Sequence, residues 1–121
     1  MARFRALRAW QEARRLALLS DAAIAELPPR ARFALSERWR RAACGAALNL
    51  AEGAGQATGG DLRRFVAAAR GSLDELEAIL DLAEGLGCLA GDRLEELRRA
   101  RRNCARLVVG LLHKLDRAVS G

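Results

Sequence analysis

The sequence has 121 residues, 51% hydrophobic and 30% charged, with 21 basic against 15 acidic residues for a net charge of +6. That is enough chain for one domain with its own core, and it excludes both a disordered chain and a disulfide-dependent mini-protein. Three cysteines without a CxxC spacing exclude a disulfide framework or zinc site, and no apolar run nears the ~20 residues of a membrane span.

Helix-forming Ala, Leu, Arg and Glu dominate, Tyr is absent, and the two prolines stand side by side. The basic start lacks a clean apolar stretch, so no signal peptide is expected, and a reduced cytoplasmic protein is the expectation. Three breaks divide the chain: Pro28-Pro29, Gly53 to Gly60, and Gly85 to Gly91. The stretches between them predict helices over 5–26, 29–54, 60–86 and 92–118, in one domain spanning 1–121. Short connections between long helices predict an all-α fold, an antiparallel up-down four-helix bundle.

The first helix has a loose apolar seam of Leu7, Trp10, Ala13, Ala17, Ile24 and Leu27. Pro29 suits the first turn of the second helix, where its missing N–H is not needed. That helix then places Leu35, Trp39, Ala42, Ala46, Asn49 and Gly53 at three-four spacing. Thr58 with Asp61 three residues on resembles a capping box for the third helix. Leu62, Phe65, Ala69, Ser72, Leu76, Ile79, Ala83 and Leu86 form its seam, and Leu97, Ala100, Cys104, Leu107, Leu111 and Leu115 that of the fourth. Such seams suit shallow crossing angles. Asn49 and Ser72 are the polar members, placed where they could meet as a buried pair that fixes register; a ligand role is the alternative.

Charge follows the same frame. Residues 74–84 (DELEAILDLAE) carry five carboxylates and no base. In a hairpin of the last two helices, Arg98 and Arg102 lie level with Asp81 and Glu77. The arginine run around them is therefore read as partly neutralised by its neighbour, with little stability gained from exposed pairs. The less compensated base is Arg3, Arg5, Arg8, Arg63, Arg64, Lys114 and Arg117, gathered at the end that holds the N-terminus against Glu52, Asp61 and Asp116. Arg30, Arg32, Arg38, Arg40 and Arg41 form a second basic group near the other end. Phosphate binding by such residues is salt-sensitive and blind to sequence. The few aromatics, Trp10, Trp39, Phe33 and Phe65, mostly sit at core spacing, so no aromatic interleaving supports base stacking.

Two apolar stripes exceed what the seam needs. Val66, Leu73 and Leu80 repeat by seven, and Val108, Val109 and Leu112 point away from Leu107 and Leu111. These six are the expected interface of a ring-shaped homo-oligomer; a wide core inside a monomer is the alternative.

No catalytic, cofactor-binding or metal-ligating constellation is found. His113 stands alone without an ExxH partner and reads as a surface or interface residue. The glycine-rich GAGQATGG lacks the Lys-Ser/Thr of a P-loop and reads as a helix connection. Cys44, Cys88 and Cys104 read as small buried or loop residues.

The ordered motifs resemble a known family. FRALRAWQEA (Phe4 to Ala13), Leu27-Pro28, the run from Arg40-Arg41-Ala42-Ala43 to Asn49-Leu50-Ala51-Glu52-Gly53, and Phe65, Ala69, Arg70-Gly71-Ser72-Leu73, Glu75-Leu76 are similar to its signatures over roughly 4–115. This is the four-helix bundle protein group, first noted as reading frames within intervening sequences of bacterial large-subunit rRNA genes. Accessory proteins of diversity-generating retroelements, which work beside a reverse transcriptase, are related to it. The resemblance implies a homopentamer of four-helix bundles and no known enzymatic activity or cofactor, with RNA or DNA binding by a basic surface as the leading idea. It makes Arg41, Asn49, Glu52, Gly53, Phe65, Gly71, Ser72 and Glu75 signature positions of structural character. Two departures, Gly45-Ala46-Ala47 and Gly59-Gly60, leave the fold untouched. The expected function is a non-enzymatic, oligomeric nucleic-acid-binding protein. The alternative is a protein-interaction scaffold or reverse-transcriptase accessory subunit.

Overall fold

The computed structural model describes residues 3–56 and 58–120; Ala57, in the second break, lies outside the described residues, as do 1–2 and 121. A 3-10 turn, Arg3–Ala6, precedes four α-helices: α1 (Arg8–Ala25), α2 (Pro29–Ala54), α3 (Gly59–Gly85) and α4 (Gly91–Ser120). No strand occurs among the described residues. The first helix therefore starts later than its seam predicts. Leu7 is extended (φ −76°, ψ 117°) and separates the 3-10 turn from α1.

Each boundary has a local cause. Pro28 is extended (φ −65°, ψ 153°), as a residue before proline prefers, and Pro29 opens α2. The Thr58 hydroxyl accepts the Asp61 backbone N–H at 3.1 Å, capping α3. At the other end of α3, the Cys88 N–H reaches the Ala83 carbonyl and the Gly87 N–H reaches that of Glu84, both at 2.9 Å. This is a Schellman stop, and its left-handed residue is Gly87 (φ 72°).

Each helix packs on its chain neighbours, and α1 also packs on α4; the backbones of the diagonal pairs stay further apart. Leu16, Trp39, Leu50, Leu76, Leu97 and Cys104 are fully buried where the four come together. Partner positions descend α3 as they ascend α4: Glu84 and Asp81 meet Arg98, Glu77 meets Arg101, and Asp116 meets Arg63. The pairing of α2 and α3 runs the same way, from Arg38–Glu75 through Gly45–Ser72 to Gly53–Phe65.

The core corrects several expectations. Val66, Leu73, Leu80, Val108 and Leu112 are buried within the protomer, and Val109 is half-buried. A side chain with no accessible surface in one chain has none to give a second, so Val66, Leu73, Leu80 and Val108 widen the internal core, while Val109 keeps part of its surface. Phe33, placed at core spacing by sequence, is 96% exposed. Cys44 is exposed on α2, whereas Cys104 is buried and Cys88 lies in the α3–α4 connection. Asn49 and Ser72 do not form a pair. The Asn49 amide donates to the Gly45 carbonyl one turn back at 2.8 Å, and Ser72 faces Gly45.

Candidate nucleic-acid interface

The two basic groups differ in what surrounds them. In the group on α2, Arg30 donates to the Leu86 carbonyl at 3.3 Å and Arg32 to that of Leu27 at 3.0 Å. Arg38 pairs with Glu75 (3.0 Å), Arg40 with Asp21 (3.9 Å) and Arg41 with Glu37 (2.9 Å). All five are engaged by carbonyls or carboxylates of their own chain. The arginine run on α4 is partly neutralised as well. Arg98 meets Glu84 (2.8 Å) and Asp81 (3.7 Å), and the Glu77 partner is the half-buried Arg101 (3.6 Å) rather than Arg102.

At the opposite end the start of α1, the start of α3 and the last turns of α4 converge. Here the seven predicted residues separate. Arg63 pairs with Asp116, which raises its own pKa and holds the Asp116 carboxyl below the usual carboxylate range. Arg64 lies 3.8 Å from Asp61 and stacks its guanidinium 5.2 Å above Phe65. The Arg5 guanidinium lies 5.3 Å over Phe4, whose ring meets Trp10 edge-on at 4.7 Å. Arg3, Arg5, Arg8, Lys114 and Arg117 are exposed, and no carboxylate pairs with them among the described residues.

Three of these, Arg8, Lys114 and Arg117, share a groove of about 500 Å³ between the start of α1 and the end of α4. Its fourth cation, Arg106, is also without a carboxylate partner and was not among the seven. Sequence reasoning placed Arg106 in the neutralised arginine run. The overlooked signal is helical: Arg106, Gly110, Lys114 and Arg117 recur at four, four and three residues, one stripe of α4. Between the cations lie the half-buried Leu7, Leu107 and Leu111. The groove thus sets a cationic rim over an aliphatic floor.

Several of the signature positions make contacts within the protomer. A Cβ on Gly53 would meet Phe65 Cβ at 2.9 Å and Leu62 Cδ1 at 3.1 Å, so α2 and α3 approach closely there. Arg38 donates to Glu75, Arg41 donates to Glu37, and Gly71 faces open space. Glu52 is exposed and pairs with no arginine among the described residues, including Arg41. Residues 5–110 match the family model described as 23S rRNA-intervening sequence protein. The chain belongs to that family. No curated protein matches it at significant similarity. The family match takes in every signature position together with Arg8 and Arg106 of the groove, whereas Lys114 and Arg117 lie beyond it. Among the described residues no group of His, Cys, Asp or Glu is suited to a metal ion, and no helix is long and apolar enough to cross a membrane. His113 is exposed near the groove end of α4.

Proposed function

We propose that this member of the 23S rRNA-intervening sequence protein family is a non-enzymatic, cytoplasmic nucleic-acid-binding protein. It holds RNA or DNA phosphates on Arg8, Arg106, Lys114 and Arg117, with Arg3 and Arg5 beside them. One observation carries the reading: Arg8, Arg106, Lys114 and Arg117 share one groove and pair with no carboxylate among the described residues, while every arginine of the α2 group has one of its own chain's oxygens. We read the helices as an antiparallel up-down bundle, supported by the descending partner positions of α3 against α4 and α2.

The reading extends to assembly as a ring-shaped homo-oligomer, a homopentamer by family resemblance. The apolar surface available to a second copy is Leu18, Phe33, Leu48, Leu82 and Leu86. A native mass spectrum checks this, with five subunits expected and a monomer rejecting it.

Binding of a labelled RNA measured at rising salt tests the nucleic-acid reading. A variant with Arg8, Arg106, Lys114 and Arg117 all changed to Ala should lose low-salt binding. Each phosphate contact removed lowers the salt slope by about 0.7 on a single strand or about 0.9 on a duplex. Changing Arg38, Arg40 and Arg41 to Ala should leave binding near wild type. Absence of any salt-dependent binding rejects the reading. The 96% exposure of Phe33 favours a second one, a protein-interaction scaffold such as a reverse-transcriptase accessory subunit. Pull-down of a partner lost on Phe33→Ser, with RNA binding absent, would establish that alternative.

A further inference from the structure

The groove between α1 and α4 has two chemistries, and phosphate accounts for one. Its cations, Arg8, Arg106, Lys114 and Arg117, are exposed, while Leu7, Leu107 and Leu111 are half-buried between them. A duplex keeps its bases stacked inside and presents phosphates outward. Laid on this surface it meets the cations and leaves the leucines uncovered. A single strand has unstacked bases that can turn into an apolar cleft while the flanking phosphates stay on the rim. The volume, about 500 Å³, falls within the ordinary span of small-molecule clefts.

Gly110 lines the same groove. It lies inside α4, where glycine is the least favourable residue after proline. Packing does not require it, because a Cβ at this position would meet no atom within 4 Å. The missing side chain keeps open the stretch of groove between Arg106 and Lys114.

We infer that the α1–α4 groove binds single-stranded nucleic acid in preference to duplex, lodging a base over Gly110 against Leu7, Leu107 and Leu111 with its flanking phosphates on Arg8, Arg106, Lys114 and Arg117. This rests on the nucleic-acid reading above and specifies which form of nucleic acid the site takes. The walls are aliphatic, so the base is held by desolvation and shape rather than by aromatic stacking.

Fluorescence anisotropy at low and physiological salt tests it, with a labelled oligouridine and an RNA duplex of equal length as probes. The single strand should bind about tenfold more tightly than the duplex at physiological salt, the scale of removing about 55 Å² of apolar surface from water. Gly110→Leu and Gly110→Gln fill the open space and raise helix propensity. With helicity unchanged by circular dichroism, either should bring single-strand affinity down to the duplex level and leave duplex affinity as it was. Equal affinities in the wild type, or single-strand binding indifferent to both folded variants, overturn the inference and leave the nucleic-acid reading standing. Binding of neither probe at low salt overturns both.

Discussion

Gly45 and Ser72 face each other across α2 and α3 so closely that a Cβ on Gly45 would sit 3.0 Å from the Ser72 hydroxyl oxygen. Eight residues along α2, a Cβ on Gly53 would meet Phe65 Cβ at 2.9 Å and Leu62 Cδ1 at 3.1 Å. The two glycines share a helix and a partner helix, yet their neighbours differ in freedom. A serine hydroxyl rotates about one bond. The Phe65 Cβ moves only with its backbone.

Gly45→Ala should therefore be close to neutral in urea unfolding, the helix propensity gain of about 1 kcal/mol offsetting a shifted Ser72 rotamer. Gly53→Ala should destabilise by about 1–3 kcal/mol, since α3 itself must move away. Equal effects at the two positions would refute the distinction.

Leu73 has no accessible surface in the protomer. Leu73→Ala should cost about 2–5 kcal/mol, the range for emptying a core leucine site. The loss should be independent of protein concentration, because the side chain packs within one chain. A loss that vanishes at high concentration would return Leu73 to a subunit interface.

Arg63 holds the Asp116 carboxyl below the ordinary aspartate value, chiefly through its hydrogen bond and then through its charge. A depressed folded pKa contributes stability that is present above the unfolded value of about 3.9 and is lost as pH falls through the lower folded value. Asp116→Asn should flatten the acid limb of a thermal stability profile below about pH 4. Its effect at neutral pH should be small, because both partners are about half exposed. A wild-type acid limb in the variant would show that the pair does not contribute to it.

Burial pushes the Cys104 thiol up to about 12, with Glu12 adding to the shift and Arg101 opposing it. Its Sγ also donates to the Ala9 carbonyl at 3.6 Å. Cys44 is exposed on α2. In the folded protein at pH 8, a disulfide-exchange reagent should modify Cys44 promptly and leave Cys104 untouched until denaturant is added, because the thiolate is the nucleophile. Mass spectrometry of the peptides separates the sites, and early labelling of Cys104 would contradict its burial.

Local chemistry is legible in the sequence alone. Adjacent prolines, a Thr58–Asp61 cap and a glycine stop after α3 act within a few residues of chain, and they mark where helices begin and end. Three-four spacing likewise identifies Trp39, Leu76 and Leu97 as inward, because a helix turns by a constant angle per residue. What spacing leaves open is how wide the buried arc is. Val66, Leu73 and Leu80 repeat as regularly as an interface stripe would, and only the arrival of two neighbouring helices makes them core. Phe33 shows the converse, an aromatic near the start of α2 that no helix covers.

Charge divides along the same line. Net charge and the positions of basic residues belong to the sequence, but the fate of each guanidinium depends on which carboxylate another helix delivers. Arg63 and Arg8 read alike as letters. Asp116 of α4 reaches Arg63, whereas no carboxylate among the described residues pairs with Arg8, which instead shares a groove with Arg106, Lys114 and Arg117. The sequence by itself determined the helices, their order and the excess of positive charge, because propensity, capping and periodicity act over a few residues. The tertiary structure alone decided which apolar faces are core and which cations are free, because both depend on contacts between residues far apart in the chain.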